Sequence, residues 1–301
     1  MNYPAKIVLF GEYGIILGSM ALAIPYPRLS GGFRFPENST TPHLKTQSES
    51  NIEIIKLLSF IKKDLNKFQF LDLQSLDHDI NKGMYFDSSV PVGSGLGSSG
   101  VFTAALYDRY ALLENQTDYQ AIKLKLSLIE SYFHGLSSGI DPLVSLLKKP
   151  VLIGSNTSFI TMVALSLFSK IYTLFLINTH SMGKTDLLVS SFLNRYKQPD
   201  FKRIIDQEYI PLINSTIETI QNADFGCFDQ LMINYSLFQF TYFKEMIPLE
   251  MRASFDHGIK SGDFTLKLCG SGGGGFILGF ARDRTKAESY FKLNHLDYTI
   301  V

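Results

Sequence analysis

Residues Pro91-Val92-Gly93-Ser94-Gly95-Leu96-Gly97-Ser98-Ser99-Gly100 form a glycine- and serine-rich segment that leads directly into a predicted helix. Glycine has no side chain, so the main chain of such a segment can turn sharply and approach a ligand closely. The start of the following helix adds unpaired amide donors and a partial positive charge, which together favour a bound anion. The segment therefore predicts a phosphate-binding loop. Within it, Ser98 and Ser99 are either helix caps or contacts to phosphate or magnesium.

Other glycine-loop motifs fit parts of the sequence, and their context excludes them. The dinucleotide pattern G-x-G-x-x-G occurs at residues 95–100, but a second helix follows where that fold requires a strand ending in an acidic residue. The same pattern at residues 270–275 precedes an apolar strand instead of a helix. Residues 183–185 are similar to the end of a P-loop, yet Asn178 occupies the position of its first glycine. The loop at 91–100 therefore belongs to another class of phosphate loop.

The composition of the 301-residue chain is that of a globular protein, with 45% hydrophobic and 19% charged residues. Its 28 basic and 28 acidic residues cancel, so charge gives no case for nucleic acid or a membrane surface as a partner. The two cysteines, Cys227 and Cys269, are too few for a disulfide framework or a zinc knuckle, which favours a reduced, cytoplasmic setting. The first residues include Lys6 and Glu12 and do not form a signal peptide.

One apolar stretch, Phe159–Ile177, is long enough to be compared with a membrane span. It contains Lys170 and several serine and threonine residues. Within it, Ser166–Lys170 has the composition of a turn between two β-type runs. We therefore expect a β-hairpin of a soluble domain here and no membrane partner.

The pattern of apolar residues predicts an α+β chain in two halves, with a boundary near Asn156 and domains at residues 1–156 and 157–301. Strand patterns occur at Lys6–Phe10, Ala21–Pro25, Gly32–Phe35, Phe68–Leu73, Met84–Phe86, Thr265–Leu268 and Phe276–Phe280, and at the end of the chain. From Asn51, the apolar residues at helical spacing are Ile52, Ile55, Leu58 and Ile61. Further helices are predicted near Asp141 and at Val101–Leu113, Tyr119–Phe133, Lys184–Asn194, Ile204–Gln221, Cys227–Leu237, Leu249–Lys260 and Thr285–Lys292.

Four residues outside the loop are candidates for phosphoryl transfer, which needs a metal ion, positive charge on the phosphate and a group that orients or deprotonates the acceptor hydroxyl. Asp141, just before Pro142, is either a helix N-cap or an ionised base. Glu130 lies near the end of a predicted helix, where a carboxylate opposes the dipole and suits a metal ligand. Lys6 is either a solvated strand start or a cation that stabilises an alkoxide. Glu12 is either a turn carboxylate or a substrate contact.

Three motifs resemble those of the GHMP kinase superfamily. Pro4–Glu12 is similar to the family's first motif, Pro91–Gly100 to the second, which is the ATP phosphate loop, and Lys267–Gly275 to the third, which packs against that loop. The stretch His-Gly-x-x-Ser-Gly-x-Asp that ends at Asp141 resembles mevalonate kinases more than galactokinases or homoserine kinases. The resemblance implies a two-domain fold, with an N-terminal α/β domain like domain 2 of ribosomal protein S5 and a C-terminal ferredoxin-like α+β domain.

The resemblance also implies a role for individual residues. Asp141 is expected to be the catalytic base, with Lys6 as its partner at the acceptor hydroxyl. Ser99 and Glu130 are expected to contact Mg²⁺. The residues expected around the ATP phosphates are Gly93, Ser94, Gly95, Leu96, Gly97, Ser98 and Ser99. The expected substrate contacts are Glu12, Tyr13, Thr185 and Gly272.

The implied reaction transfers the γ-phosphoryl group of Mg-ATP to the primary hydroxyl of mevalonate, in isoprenoid synthesis. Alternatives are another kinase of the superfamily, such as a phosphomevalonate kinase or a sugar kinase, and a nucleotide-binding regulator that lost the chemistry. The joint presence of Lys6, Glu130 and Asp141 argues against the regulator. Tyr13 stands where mevalonate kinases usually carry histidine, and Gly100 replaces a common alanine. The identity of the acceptor therefore stays open, as does the question of whether the protein forms a homodimer.

Overall fold

The computed structural model describes residues 1–36, 44–112, 118–183 and 185–301, without the side chains of residues 44–48, 134, 185 and 186. Helices and antiparallel sheets alternate along this part of the chain, which confirms the predicted α+β class. The strands are β1 (Tyr3–Phe10), β2 (Ala21–Arg34), β3 (Tyr85–Ser88), β4 (Val151–Ile153), β5 (Ile160–Met162), β6 (Thr173–Asn178), β7 (Thr265–Leu268), β8 (Phe276–Ala281) and β9 (Asp297–Ile300). The helices are α1 (Leu44–Lys62), α2 (Leu73–Asn81), α3 (Ser98–Tyr110), α4 (Tyr119–His134), α5 (Ile140–Leu147), α6 (Phe168–Ile171), α7 (Thr185–Tyr196), α8 (Pro199–Ile204), α9 (Ile210–Gln221), α10 (Phe228–Tyr242), α11 (Arg252–Ser261) and α12 (Arg284–Leu293).

The chain forms two compact units. The first unit consists of Met1–Lys6, Pro25–Pro91 and Gly97–Lys149, and the second consists of Ile7–Ile24, Val92–Leu96 and Pro150–Val301. The glycine-rich loop therefore crosses from one unit to the other twice, after Pro91 and after Leu96. The domain boundary near Asn156 stays a prediction.

The core of the first unit is formed mainly by four helices. Its buried side chains include Ile54, Leu57, Leu58 and Ile61 of α1, Leu76 and Ile80 of α2, Phe102, Leu106 and Tyr110 of α3, and Ile129 of α4. The helix predicted from Asn51 is confirmed, but Ile52 and Ile55 are 47% and 44% exposed, whereas Ile54 and Leu57 are fully buried. Apolar residues line both sides of this helix, so its spacing alone does not show which side packs against α2.

Helix α4 shows how a local signal and burial agree. The Asp118 side chain accepts hydrogen bonds from the amides of Gln120 and Ala121, at 3.1 and 3.0 Å, and so caps the first turn. Ile122, Leu126 and Ile129 then recur on one side of the helix and are buried. The predicted helix at Tyr119–Phe133 is confirmed.

The two sheets are antiparallel where their registers are defined. In the first unit, β2 pairs with β3 from Gly31 opposite Ser88 to Arg34 opposite Tyr85. In the second unit, the start of β2 pairs with β4, which pairs with β5, and a second sheet has the order β7-β8-β6-β9. The sequence predicts two strands where β2 is one. Pro25 lacks an amide donor and lies between the segments that pair with β4 and β3, so it does not interrupt either register.

The hairpin predicted at Phe159–Ile177 is wrong. Strand β5 pairs with β4, whereas β6 pairs with β8 and β9 in the other sheet. The predicted turn is the short helix α6, whose Phe168 is buried against Phe228 with 5.4 Å between the ring centroids. Burial of this aromatic ring favours the helical turn over an exposed hairpin loop. In the described ranges, no helix is both long and apolar enough to span a membrane.

The strand predicted at Phe68–Leu73 is also wrong. The segment contains a 3-10 turn and one isolated bridge, between Leu71 and Ala111, before α2 begins at Leu73. Asp72 caps α2 by accepting a hydrogen bond from the amide of Ser75 at 3.0 Å. An aspartate cap was the signal in the sequence for this helix.

Replacing a core leucine of α4 tests the packing of the first unit. Leu126→Ala is expected to lower the free energy of unfolding by about 2–5 kcal/mol, because the side chain is fully buried and leaves a cavity. Leu124→Ala makes the same change two residues away, where the side chain is 62% exposed, and should cost less than about 0.5 kcal/mol. Urea titrations of both variants measure the difference. Equal losses would contradict the assignment of this helix face to the core.

Candidate active site

The start of α3 lies in the first unit and is formed by glycine. Gly97 is the N-cap, with a φ of 77°, and no side chain caps the helix. The interpretation of Ser98 and Ser99 as caps is therefore wrong. Both serines belong to the first turn, where main-chain amides lack helical acceptors and the dipole is positive. This end of the helix is suited to an anion.

Lys6 and Asp141 form an ion pair in the first unit. The Lys6 Nζ atom lies 2.9 Å from Asp141 Oδ2, and the two side chains are 3% and 26% exposed. The carboxylate is the more accessible partner and compensates the charge of the buried ammonium group. Gly139 adopts a left-handed conformation and is the N-cap of α5, so Asp141 lies in its first turn. The interpretation of Asp141 as the N-cap is wrong.

Two glycines bring α3 close to this ion pair. A Cβ atom on Gly97 would lie 2.7 Å from Lys6 Cε, and one on Gly100 would lie 2.9 Å from the carbonyl carbon of Asp141. Both distances are shorter than carbon atoms tolerate without moving. The absence of side chains at these positions therefore allows the amide end of α3 to contact Lys6 and Asp141 directly.

Glu130 of α4 is a buried carboxylate with hydroxyl partners on both oxygens. Ser99 Oγ donates to Glu130 Oε1 at 3.0 Å, and Ser137 Oγ donates to Oε2. Carboxylate and hydroxyl oxygens are the donors that Mg²⁺ prefers, and this ion usually takes one or two carboxylates together with substrate phosphates. The described residues contain no cluster of three or more His, Cys, Asp or Glu side chains that could hold a metal. Ser99 and Glu130 fit a magnesium ion that is held in part by phosphate.

In the second unit, residues 92–96 pack against the glycine turn at residues 269–275. A Cβ atom on Gly95 would lie 2.3 Å from the Cys269 carbonyl oxygen, and the Phe276 amide donates to the Ser94 carbonyl at 3.1 Å. The Gly183 amide donates to the Gly93 carbonyl at 3.2 Å. Main chain thus packs on main chain, as the resemblance implies for the second and third motifs. Leu96 is fully buried and anchors the end of this segment.

Glu12 lies in the interior of the second unit. Its carboxylate forms an ion pair with Lys267, and both side chains are at most 1% exposed. The Tyr235 hydroxyl donates to Glu12 Oε2 at 2.8 Å, and burial raises the pKa of Tyr235 well above its usual value, so it remains a neutral donor. Lys267 was not among the predicted site residues. Its signal is a lysine within the otherwise apolar strand β7.

Tyr13 is also buried in the second unit. Its hydroxyl donates to the Ser271 carbonyl at 2.6 Å, and its ring lies 4.6 Å from Phe192 and 5.5 Å from Phe243. Burial, and to a lesser extent the charge of Glu245, raises the pKa of Tyr13. The phenol therefore stays protonated and can donate.

The predicted site residues thus form one group in each unit. Lys6, Gly97, Ser99, Glu130 and Asp141 come together in the first, and Ser98 lies beside them in the first turn of α3. The second contains Gly93, Ser94, Gly95, Leu96, Glu12, Tyr13 and Gly272. Helix α7 begins at Thr185, whose side chain lies outside the described residues, so its assignment stays a prediction. Ser137 was missed, because it occupies a variable position of the motif that ends at Asp141.

Comparison with known proteins shows what the sequence and the fold are similar to. Residues 54–149 match the family model described as the GHMP kinases N terminal domain. The fold is similar to that of an L. major mevalonate kinase in complex with R-mevalonate, with a TM-score of 0.62, 20% identity, and coverage of 97% of this chain and 89% of the other. It is also similar to a phosphomevalonate kinase of Streptococcus pneumoniae, with a TM-score of 0.64, 13% identity, and coverage of 100% and 99%. Residues 54–149 thus match the N-terminal domain of GHMP kinases, and the chain has the fold of these kinases.

In sequence, the chain is similar to curated mevalonate kinases. It is 30% identical to the enzyme of Pyrococcus abyssi over 161 residues, which cover 47% of each chain. It is 28% identical to that of Thermococcus sibiricus over 240 residues, which cover 73% of this chain and 67% of the relative. The matched region thus spans about half the length of the first of these relatives.

A methyl group at Gly97 tests the contact between α3 and Lys6. Gly97→Ala and Gly262→Ala both place alanine at a positive φ, of 77° and 69°, which costs roughly 1–2 kcal/mol in each case. Nothing lies within 4 Å of a Cβ atom on Gly262, whereas one on Gly97 meets Lys6. Gly97→Ala should therefore lose at least about 1 kcal/mol more of the free energy of unfolding, as measured by urea titration. An equal loss of the free energy of unfolding in both variants would show that the Lys6 side chain moves aside without cost.

Proposed function

We propose that this chain is an ATP-dependent kinase that phosphorylates an alcohol, and that its acceptor is the primary hydroxyl of mevalonate. The ion pair of Lys6 and Asp141 next to Gly97 is the observation that carries the proposal. It combines a partly exposed carboxylate, a buried cation and the amide end of a helix, all within the first unit. These are the parts that phosphoryl transfer to a hydroxyl group requires.

Each group has a defined task in the proposed step. The acceptor oxygen attacks the γ-phosphorus, the bond from that phosphorus to the bridging oxygen of ADP breaks, and the hydroxyl proton passes to an Asp141 oxygen. Lys6 stabilises the negative charge that develops on the acceptor oxygen. The base later releases its proton to solvent. No covalent enzyme intermediate is needed.

The phosphate side of the reaction is assigned to the loop at residues 93–99. The first turn of α3 supplies the positive end of a helix. Ser99 and Glu130 would hold Mg²⁺, which neutralises phosphate charge when it is bound. Because the whole chain carries no net charge, this local geometry has to supply the attraction for a nucleotide.

Two observations bear on the acceptor. Similarity to mevalonate kinases supports mevalonate as the acceptor and, with it, a role in isoprenoid synthesis. Tyr13 favours a second candidate, because the sequence Gly-Glu-Tyr also occurs in bacterial phosphomevalonate kinases. We therefore retain phosphomevalonate as the alternative acceptor.

A panel of acceptors tests the substrate assignment. The purified full chain is supplied with Mg-ATP and, separately, with mevalonate, phosphomevalonate, galactose or homoserine, and ADP release is followed by a coupled assay. We expect turnover with mevalonate and little above background with the other three. Turnover on another member of the panel but not on mevalonate would contradict the assignment of mevalonate as the acceptor. Nucleotide binding without turnover on any acceptor would instead support a regulatory protein.

Asp141→Asn tests the assignment of the base. The change keeps the size of the side chain but removes its ability to take up a proton, so kcat should fall at least about 10²- to 10⁴-fold. Asp256→Asn is a matched control on α11, where the carboxylate is 46% exposed and pairs with Lys260. Its kcat should remain that of the wild type. Near-normal turnover by Asp141→Asn would refute the role.

A further inference from the structure

The turn Gly11-Glu12-Tyr13 follows β1 in the second unit and places two consecutive side chains in the interior. Gly11 has a φ of 108°, and a Cβ atom there would lie 2.7 Å from that of Ala21. Tyr13 is held at a φ of 58°, a left-handed conformation that costs roughly 1–2 kcal/mol for a residue with a side chain. Contacts made by the side chains of Glu12 and Tyr13 must offset this cost.

Both side chains contact the third motif, one just before the glycine turn at residues 269–275 and the other inside it. Glu12 pairs with Lys267, whose Nζ atom donates to the Leu268 carbonyl at 2.7 Å, immediately before the turn. The Tyr13 hydroxyl donates to the Ser271 carbonyl at 2.6 Å, inside the turn. One short segment after the first strand thus contacts two successive points of the third motif.

The glycine turn depends on such contacts for its position. Gly270, Gly272, Gly273, Gly274 and Gly275 all have positive φ values, and none of them has a side chain that could pack. Its main chain is held from outside, for example by the Gly273 amide donating to the Met246 carbonyl at 2.6 Å. Loss of one anchor therefore lets a flexible segment shift.

A shift of the glycine turn would displace the phosphate loop. Gly95 packs on the Cys269 carbonyl, and a Cβ atom on Gly275 would lie 2.4 Å from the Ser94 carbonyl oxygen. At these distances neither segment can move toward the other without displacing it. The position of residues 92–96 is therefore coupled to that of residues 269–275 through direct main-chain packing.

We propose that Glu12 and Tyr13 are positioning residues for the nucleotide, which act through the glycine turn on the phosphate loop and do not touch the acceptor. The inference rests on the proposed function for the assignment of residues 93–99 to the ATP phosphates. It replaces the expectation that these two side chains contact substrate. Their burial against Lys267 and Ser271 is the reason, because a side chain used in this way is not available to a small molecule.

Tyr13→Phe tests the inference with a small change. It keeps the ring against Phe192 and Phe243 and removes only the hydroxyl that donates to Ser271. The dissociation constant of Mg-ADP, measured by isothermal titration calorimetry on the full chain, should rise about 2- to 10-fold. The KM for the acceptor, from initial rates at saturating ATP, should stay within error of the wild type.

Tyr172→Phe is the matched control. It also removes a tyrosine hydroxyl of the second unit, one that donates to Asp229 at 2.8 Å, but it lies on neither glycine segment. It should lose stability without any change in the affinity for Mg-ADP. A Tyr13→Phe protein with unchanged ADP affinity, or with a raised acceptor KM alone, overturns the inference. A wild-type protein that binds no Mg-ADP overturns the proposed function and the inference with it.

Glu12 is tested through a double substitution. Glu12→Gln alone leaves the charge of Lys267 buried without its partner and can prevent folding. Glu12→Gln combined with Lys267→Met removes both charges and, with them, the donor to the Leu268 carbonyl. The double variant, with folding checked by circular dichroism, should bind Mg-ADP at least about 2-fold more weakly than the wild type. A folded double variant with wild-type affinity would overturn the role of Glu12.

Discussion

The carboxylate of Glu12 and the ammonium group of Lys267 are both buried, and each is tolerated there because the other compensates its charge. Tyr235 satisfies the second carboxylate oxygen, while the lysine also donates to the Leu268 carbonyl. The pair links the segment after the first strand to the strand that leads into the last glycine turn. The geometry of that turn, and of the loop packed on it, depends on this interaction.

Close approach of main chain to main chain is the second constraint. Gly95 and Gly275 let two loops of the second unit touch, and Gly97 and Gly100 let the start of α3 reach Lys6 and Asp141 in the first. In both units the glycines thus serve close packing within the protein.

Secondary structure was predictable where one local signal dominated. Helix α4 has an aspartate cap and a clear apolar stripe, and α3 follows a glycine loop, so both were found. Helix α1 was found, but two of the apolar residues that indicated it, Ile52 and Ile55, are exposed, because apolar residues occur on both sides and only packing chooses between them. The prediction of a hairpin at Phe159–Ile177 was wrong because strand partners lie far apart in the chain. Alternating apolar residues do not encode which sheet a strand joins.

The sequence alone indicated three features: the order of three motifs, a candidate phosphate loop, and the candidates Lys6, Glu130 and Asp141. It could do so because glycine spacing and helix starts are local properties of the chain. The tertiary structure decided what each side chain contacts. From the sequence, Glu12 and Tyr13 are interpreted as turn or substrate residues. Their partners, Lys267 and Ser271, lie more than 250 positions away in the chain, and only the structure identifies them. A buried charge is defined by its partner, and that partner is brought to it only by the fold.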